Sequence, residues 1–419
     1  MGTLAVTGGT PVRDEPWPRW PVANEAGIKA VEGVLRSHLW GRSAGNEVVR
    51  FEKRFTAYQG ASHGLAVSSG TAALEVGLRS LNLTRGAEVI LSPLTFMASA
   101  TSILMARCVP IFVDIDPETY NIDPTKVEPA ITDRTEAIMT VHFGGLPCDM
   151  DPILDIARRR GLKIIEDCSH AHGAKWKDKG LGTIGDVGAF SLGAGKNLTA
   201  GEGGIVLTDD DAIYWNSVDY HDLWSGSIRE RLGIFRYLSW NYRMSEIQGA
   251  LLNANLDVLE SQSTHRSANG DYLNSLLAET VGVSPLRHDP YVTRNAFHLY
   301  TFKYDQEAFG GLPRKRFAEA LAAEGVPVST GYALDCREQP LFTEPEVDLQ
   351  AVWPRNDGEV DIDYKTMSCP HSERLCRERT MWIGQSVLLA ERQDMDQIPE
   401  AIDKIRTHVD ELAAAAIAT

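Results

Sequence analysis

Lys196 is the residue of this chain best placed to do covalent chemistry. It lies in Phe190-Ser191-Leu192-Gly193-Ala194-Gly195-Lys196-Asn197-Leu198-Thr199-Ala200-Gly201-Glu202-Gly203-Gly204. A lysine normally stands on the surface as a solvated charge. This one is enclosed by Gly, Ser, Ala and Thr, with the apolar run Ile205-Val206-Leu207 just beyond. Residues this small let backbone and ligand approach closely. A lysine held in such a place can have a lowered pKa and form a Schiff base with a carbonyl. Taken alone, the stretch fits an incidental lysine in glycine-rich packing equally well.

Two further segments carry chemistry. In Leu162-Lys163-Ile164-Ile165-Glu166-Asp167-Cys168-Ser169-His170-Ala171-His172-Gly173-Ala174, a short apolar run ends in acidic residues. The pattern predicts a buried strand that delivers a carboxylate at its C-terminal end. Ligand crevices of open α/β sheets lie at that end. A buried carboxylate needs a partner. A protonated pyridine nitrogen would serve, and so would a structural Lys or Arg. The other segment is His63-Gly64-Leu65-Ala66-Val67-Ser68-Ser69-Gly70-Thr71-Ala72-Ala73-Leu74. It predicts a strand, a small polar turn and a helix carrying Leu74, Leu78 and Leu81. Backbone amides at that helix start, with the hydroxyls, suit a phosphate. They suit an ordinary helix cap as well.

Together the segments supply a phosphate cradle, a carboxylate and an amine, in that order. This is the order in pyridoxal-phosphate enzymes of the aspartate-aminotransferase fold. The chain resembles one family of these, the DegT/StrS group of sugar and aminocyclitol aminotransferases. The resemblance rests on Ser68 to Leu74, Ser92-Pro93-Leu94-Thr95-Phe96, Ile111-Phe112-Val113-Asp114-Ile115-Asp116 and Ile165 to Ala174. It continues through Phe190 to Gly204 and Trp240-Asn241-Tyr242-Arg243-Met244-Ser245-Glu246.

The resemblance implies a role for each matching residue. Lys196 would be the Schiff-base lysine, and a general base and acid once an amino donor displaces it. Asp167 would pair with the pyridine nitrogen and keep it protonated. Phe96 would stack on one face of the ring. His170, where relatives often have Gln, would sit near the ring hydroxyl. Gly70, Thr71 and Ser191 would hold the phosphate. Asn241 would reach the phosphate in the neighbouring subunit of a homodimer with shared active sites. Some relatives are dehydratases with His in place of the lysine, so Lys196 favours transamination. Relatives usually carry bulkier or polar residues where this chain has Gly193-Ala194-Gly195, a departure that bears on the substrate.

Composition agrees. The chain has 419 residues, 43% of them hydrophobic, enough for a large core and more than one domain. Lys and Arg total 41 against 57 Asp and Glu, a formal charge of -16. Such an acidic chain is unsuited to binding nucleic acid by charge. Cys108, Cys148, Cys168, Cys336, Cys369 and Cys376 form no dense framework, which points to free thiols in a reducing cytoplasm. No N-terminal apolar run resembles a signal peptide, and no stretch approaches the roughly 18 apolar residues of a membrane helix.

Two motifs are decoys. Gly180-Leu181-Gly182-Thr183-Ile184-Gly185 matches G-x-G-x-x-G but lacks the strand before it and the helix after it, so a glycine-rich turn is expected. Cys168, His170 and His172 alternate, and Cys369, His371 and Cys376 cluster, without a paired zinc spacing, so no metal is expected.

These residues need elements to hold them. About 1–50 is an N-terminal segment, extended from Pro16 to Pro21 and helical from Ala26 to Leu39. About 51–265 alternates strand-like runs with helical patterns. This predicts an α/β large domain with a mostly parallel sheet. About 266–419 is expected as a smaller α+β domain. In it Phe297 to Phe302 is strand-like and Arg314 to Glu324 helical. Ile402, Ile405, Val409 and Leu412 mark the apolar face of a C-terminal helix. Glu344 to Lys365 is acidic and carries Trp353-Pro354, a surface loop that is either an active-site flap or a solvated insertion.

The expectation is a pyridoxal-phosphate aminotransferase moving an amino group from glutamine or glutamate to a keto-cyclitol or keto-sugar. By the same resemblance, Cys168 to Trp176 is most similar to aminocyclitol enzymes of antibiotic pathways. The alternatives are a related enzyme with other chemistry, such as aminohydroxybenzoate formation or sugar dehydration, and a non-catalytic regulator on the same fold. Loss of Lys196 or Asp167 would have favoured the regulator, and both are present.

Overall fold

The apolar runs of the first half of the chain assemble into one central sheet. The structure is a computed structural model and describes residues 2–223, 238–344 and 363–415. Along the chain come β1 (His63–Val67), β2 (Glu88–Leu91), β3 (Val109–Phe112), β4 (Thr135–Val141), β5 (Lys163–Asp167), β6 (Lys175–Trp176), β7 (Lys179–Gly180), β8 (Val187–Ser191) and β9 (Gly204–Thr208). Seven of them form a sheet in the order β1-β9-β8-β5-β4-β2-β3. Neighbours pair in parallel except around β9, which runs antiparallel to both β1 and β8. This is the mostly parallel α/β sheet that the alternating pattern predicts.

Both faces of the sheet are covered, which is why its strands read as continuous apolar runs. Successive side chains enter opposite cores. Ile164, Ile205 and Leu207 pack in one, while Ile165, Val187 and Val206 pack in the other. Each buried Ile, Leu or Val contributes about 1.5–3 kcal/mol. The helix Gly70–Ser80 lies close against the sheet because Gly77 admits Val187, whose Cγ1 would stand 2.9 Å from a Cβ there.

The second half builds a smaller layer. Its strands are β10 (Val283–Pro285), β11 (Val292–Arg294), β12 (Leu299–Tyr304), β13 (Val328–Ser329) and β14 (Thr380–Gly384). Four of them order β10-β12-β14-β13, every pair antiparallel, while β11 joins β6 and β7 in a separate three-stranded sheet. Tyr300, Phe302 and Tyr304 of β12 share a core with Phe317 of the helix Arg314–Ala323 and with Ile402 and Ile405 of Gln397–Thr407. The expected C-terminal helix is broken at His408, and Leu412 returns to the same core from a second helix, Val409–Ala415.

Two details concern the expected domain limits. The helix Glu246–Glu279 is continuous through 265 and 266, begun by a Ser245/Gln248 capping box. Within the N-terminal segment, Leu4 lies in the core built around β12 and the buried Glu324 carboxylate accepts from Ala5 and Val12 N–H. The acidic stretch at 344–365 falls for the most part, from 345 to 362, outside the described residues. No helix among the described residues is long and apolar enough to cross a membrane.

Candidate active site

The C-terminal ends of β1, β5 and β8 bring the predicted residues to one edge of the sheet. Past β1, Ser69 caps the helix Gly70–Ser80, its hydroxyl accepting from Ala72 N–H at 3.1 Å. Gly70 packs directly on Ser191 at the end of β8, where a Cβ would fall 2.5 Å from Ser191 Cβ. Only glycine fits that approach. Gly204 does the same for Ser69, whose carbonyl oxygen would lie 2.2 Å from a Cβ. Thr71, exposed at the first turn, and Ser191 therefore flank a helix N-terminus, where amides and dipole favour an anion.

Asp167 ends β5 and is buried. Its carboxylate accepts from Ser99 Oγ at 2.7 Å and from Ser169 N–H at 3.0 Å. Ser99 in turn pairs with Thr95 at 2.7 Å. Both flank Phe96, which caps the helix Met97–Met105 and is 62% exposed as a residue. A large aromatic kept open to solvent beside a buried carboxylate offers a face to a planar ligand.

Lys196 follows β8 on the loop to β9. Burial lowers its amine from 10.5 to about 8, against the opposing pull of Asp167, which stabilises its charge. Trp20 Nε1 donates to the Lys196 carbonyl at 3.2 Å, so the N-terminal segment covers this loop.

Three buried histidines feel the charge of the same amine. His170 Nδ1 accepts from Gly144 N–H at 3.3 Å, and its ring stands 4.4 Å from that of His298. His172 packs against Phe55 and Phe190. Burial, and then the Lys196 charge, hold His170 and His172 below the ordinary imidazole value, His172 at about 3. For His298, burial comes first, then His170, then Lys196. All three rings are neutral at pH 7.

Asn241 does not join this cluster as the others do. It is exposed, and its backbone bridges to Asp222. Next to it, Tyr242 OH donates to Glu75 at 2.7 Å.

Ser99, Asn197 and His298 escaped the sequence reading. Ser99 had a signal, since a buried Asp167 needs donors and Ser99 stands four residues past Thr95. His298 had a weaker one, a lone imidazole inside the apolar run Phe297 to Phe302.

The decoy glycine motif proves to serve an internal anion. Gly182, Ile184 and Gly185 N–H donate to the Glu166 carboxylate at 2.8–2.9 Å, and His142 Nε2 lies 3.1 Å from it. Burial pushes this carboxyl up, but these donors outweigh it and hold it below the ordinary value. His142, Glu166 and Cys168 are also the one group among the described residues with metal-ligand spacing. Cys148 N–H donates to His142 Nδ1 at 3.1 Å, so both ring nitrogens are engaged within the protein.

Comparison with known proteins sets this geometry in a family. Residues 21–388 match the model of the DegT/DnrJ/EryC1/StrS aminotransferase family. The chain belongs to that family. Among curated family members it is 37% identical over 431 residues to the L-glutamine:2-deoxy-scyllo-inosose aminotransferase of Streptoalloteichus tenebrarius, covering 98% of this chain and 99% of that one. It is 33% identical over 434 residues to the L-glutamine:scyllo-inosose aminotransferase of Streptomyces griseus, covering 98% and 99%. Among solved structures, 3-amino-5-hydroxybenzoic acid synthase superposes with a TM-score of 0.81 at 31% identity, covering 93% of this chain and 98% of that one.

Proposed function

We propose that this family member uses pyridoxal 5'-phosphate to transfer the amino group of L-glutamine to a keto-cyclitol of the inosose type. The observation that carries the reading is the amine of Lys196, lowered to about 8, beside the buried carboxylate of Asp167. Family membership supports the reaction class, and the names of the aminocyclitol relatives support the donor and acceptor.

The residues fit the cofactor. Gly70, Thr71 and Ser191 at the helix N-terminus suit its phosphate. Asp167 suits a protonated ring nitrogen, and Phe96 one face of the ring. Bound pyridoxal phosphate supplies a sink for the electrons left when the donor's α C–H bond breaks. Lys196 Nζ accepts that proton and returns it, a task suited to an amine that titrates near neutrality. Asp167 holds the ring nitrogen charged, and Ser99 and Ser169 keep its carboxylate aimed. His170, with its proton on Nε2, offers a donor to the ring hydroxyl.

A cytoplasmic homodimer completes the proposal. Asn241 is exposed, and Leu238 and Trp240 beside it are large apolar residues open to solvent. Such surface suits cover by a second copy, and Asn241 would then reach the phosphate of the neighbour.

The test is direct. The protein loaded with pyridoxal phosphate should absorb in the visible, and borohydride should fix the cofactor to the peptide holding Lys196. Turnover should then follow L-glutamine with scyllo-inosose or 2-deoxy-scyllo-inosose. Labelling of another lysine would overturn the site. Turnover only with nucleotide-linked keto-sugars, or aromatisation without amino transfer, would overturn the substrate.

A further inference from the structure

We propose that His298 is a positioning residue for Lys196, holding the lysine-bearing loop to the small domain through Asn197. This rests on the reading of Lys196 as the reactive amine.

Asn197 follows Lys196 and is buried. Its Nδ2 donates to the Ala296 carbonyl at 2.8 Å, so Oδ1 is the atom that meets His298 Nδ1 at 3.2 Å. An amide oxygen only accepts, and the His298 proton is therefore on Nδ1. His170 carries the opposite tautomer, because Gly144 N–H donates to its Nδ1 and leaves the proton on Nε2. Two neutral imidazoles thus face each other 4.4 Å apart with each N–H assigned by a fixed partner.

The anchor behind His298 is rigid. Its carbonyl accepts from Gln385 N–H at 3.2 Å. Gln385 Oε1 in turn accepts from Nε of the fully buried Arg266 at 2.7 Å. The loop it holds is tied back on itself by Lys196 N–H to the Gly193 carbonyl at 2.9 Å and Ala200 N–H to the Leu192 carbonyl at 3.1 Å. Gly193, Gly195, Gly201 and Gly203 surround Lys196 and Asn197, and the last two adopt positive φ. The clip from Asn197 to Ala296 and His298 is the buried tie between this loop and the chain leading into β12.

Three variants of the cofactor-loaded enzyme test this. His298→Phe keeps a ring and removes the donor. His298→Asn keeps an N–H near the Nδ1 position. Asn197→Ala removes the other side of the clip. His298→Phe and Asn197→Ala should each lower kcat by roughly ten- to a hundredfold with KM nearly unchanged, because the amine is misplaced rather than the substrate lost. The two losses should not add in the double variant. His298→Asn should regain most of the rate.

Nitrogen-15 NMR of histidines in the cofactor-free protein gives a readout besides activity. His298 should show a protonated Nδ1 and a bare Nε2, and His170 the reverse. A His298 proton on Nε2 would overturn the proposal, as would wild-type kcat in His298→Phe. A loss in kcat that His298→Asn does not regain, matched by an equal fall in melting temperature, would make the residue structural only. If His298→Phe does not fold, the NMR assignment and His298→Asn decide. Failure of borohydride to label Lys196 in the wild type would instead refute the reading beneath, and the tautomers would stand or fall separately.

Discussion

Replacing Lys196 by Met should make the cofactor-free protein more stable at neutral pH. Burial costs the charged amine more than Asp167 returns, which is why its pKa falls from 10.5 to about 8. At about 1.4 kcal/mol per tenfold change in proton affinity, that fall is a penalty of about 3 kcal/mol. The side chain is partly rather than fully buried, so solvent relaxes some of it, and about 2 kcal/mol is the expected gain. In a chain of this length that is a rise in melting temperature of about 2–4 °C. The sign follows from linkage. Below pH 8 the amine is charged in both folded and unfolded chains, and the whole penalty is present. Between about 8 and 10.5 the unfolded chain binds more protons, so the wild type gains stability as pH rises. Above 10.5 the penalty is gone. Paired thermal scans of both proteins at pH 7 and pH 10, without cofactor, measure the gap and its closure. A Met variant no more stable at pH 7, or a gap that does not narrow by pH 10, would refute the account of a strained amine. What the penalty purchases is reactivity: at pH 7 about a tenth of the amine is unprotonated, against about three in ten thousand at a pKa of 10.5.

Three further outcomes are expected. Asp167→Asn should fold normally but lose about two orders of magnitude in rate, because the ring nitrogen loses its anionic partner. Its pH profile for borohydride-fixable cofactor capture should also move to lower pH, since the Asp167 charge holds the Lys196 pKa up; turnover near wild type would show that another group serves the ring. Ser99→Ala should lower kcat roughly tenfold and leave Ser169 as the remaining backbone donor to Asp167, in line with about 1.5–3 kcal/mol for a hydrogen bond to a charged group; steady-state kinetics with an unchanged rate would remove Ser99 from the site. Mixing Lys196→Ala with a disruptive Asn241 variant should restore activity in up to about a quarter of all sites, because one heterodimer site then carries neither defect; proven subunit exchange with no recovery would place Asn241 in its own chain's site.

The placement of Lys196, Asp167, Gly70, Thr71 and Ser191 at strand ends and a helix start was legible because it depends on immediate neighbours. Small residues around a lysine, an apolar run ending in a carboxylate and a strand–turn–helix are local patterns, and the central sheet follows from the same alternation. The short helix and strand limits shifted by a residue or two, and the C-terminal helix broke at His408, where local propensity does not decide.

Contacts across long chain separation belong to the tertiary structure. Ser99 meets Asp167 from 68 positions away, and His298 meets Asn197 from 101. No periodicity encodes such a meeting, because it depends on which strand ends the sheet order brings together. The same holds for the glycine motif at 180–185. Its spacing permits a nucleotide phosphate or an internal carboxylate, and the parallel pairing of β5 with β8 chooses Glu166. The protonation of the site was decided there too. Composition names the histidines and the lysine, but burial depth, the Gly144 and Asn197 partners and the nearness of like charge set which nitrogen holds a proton, and those are properties of the assembled core.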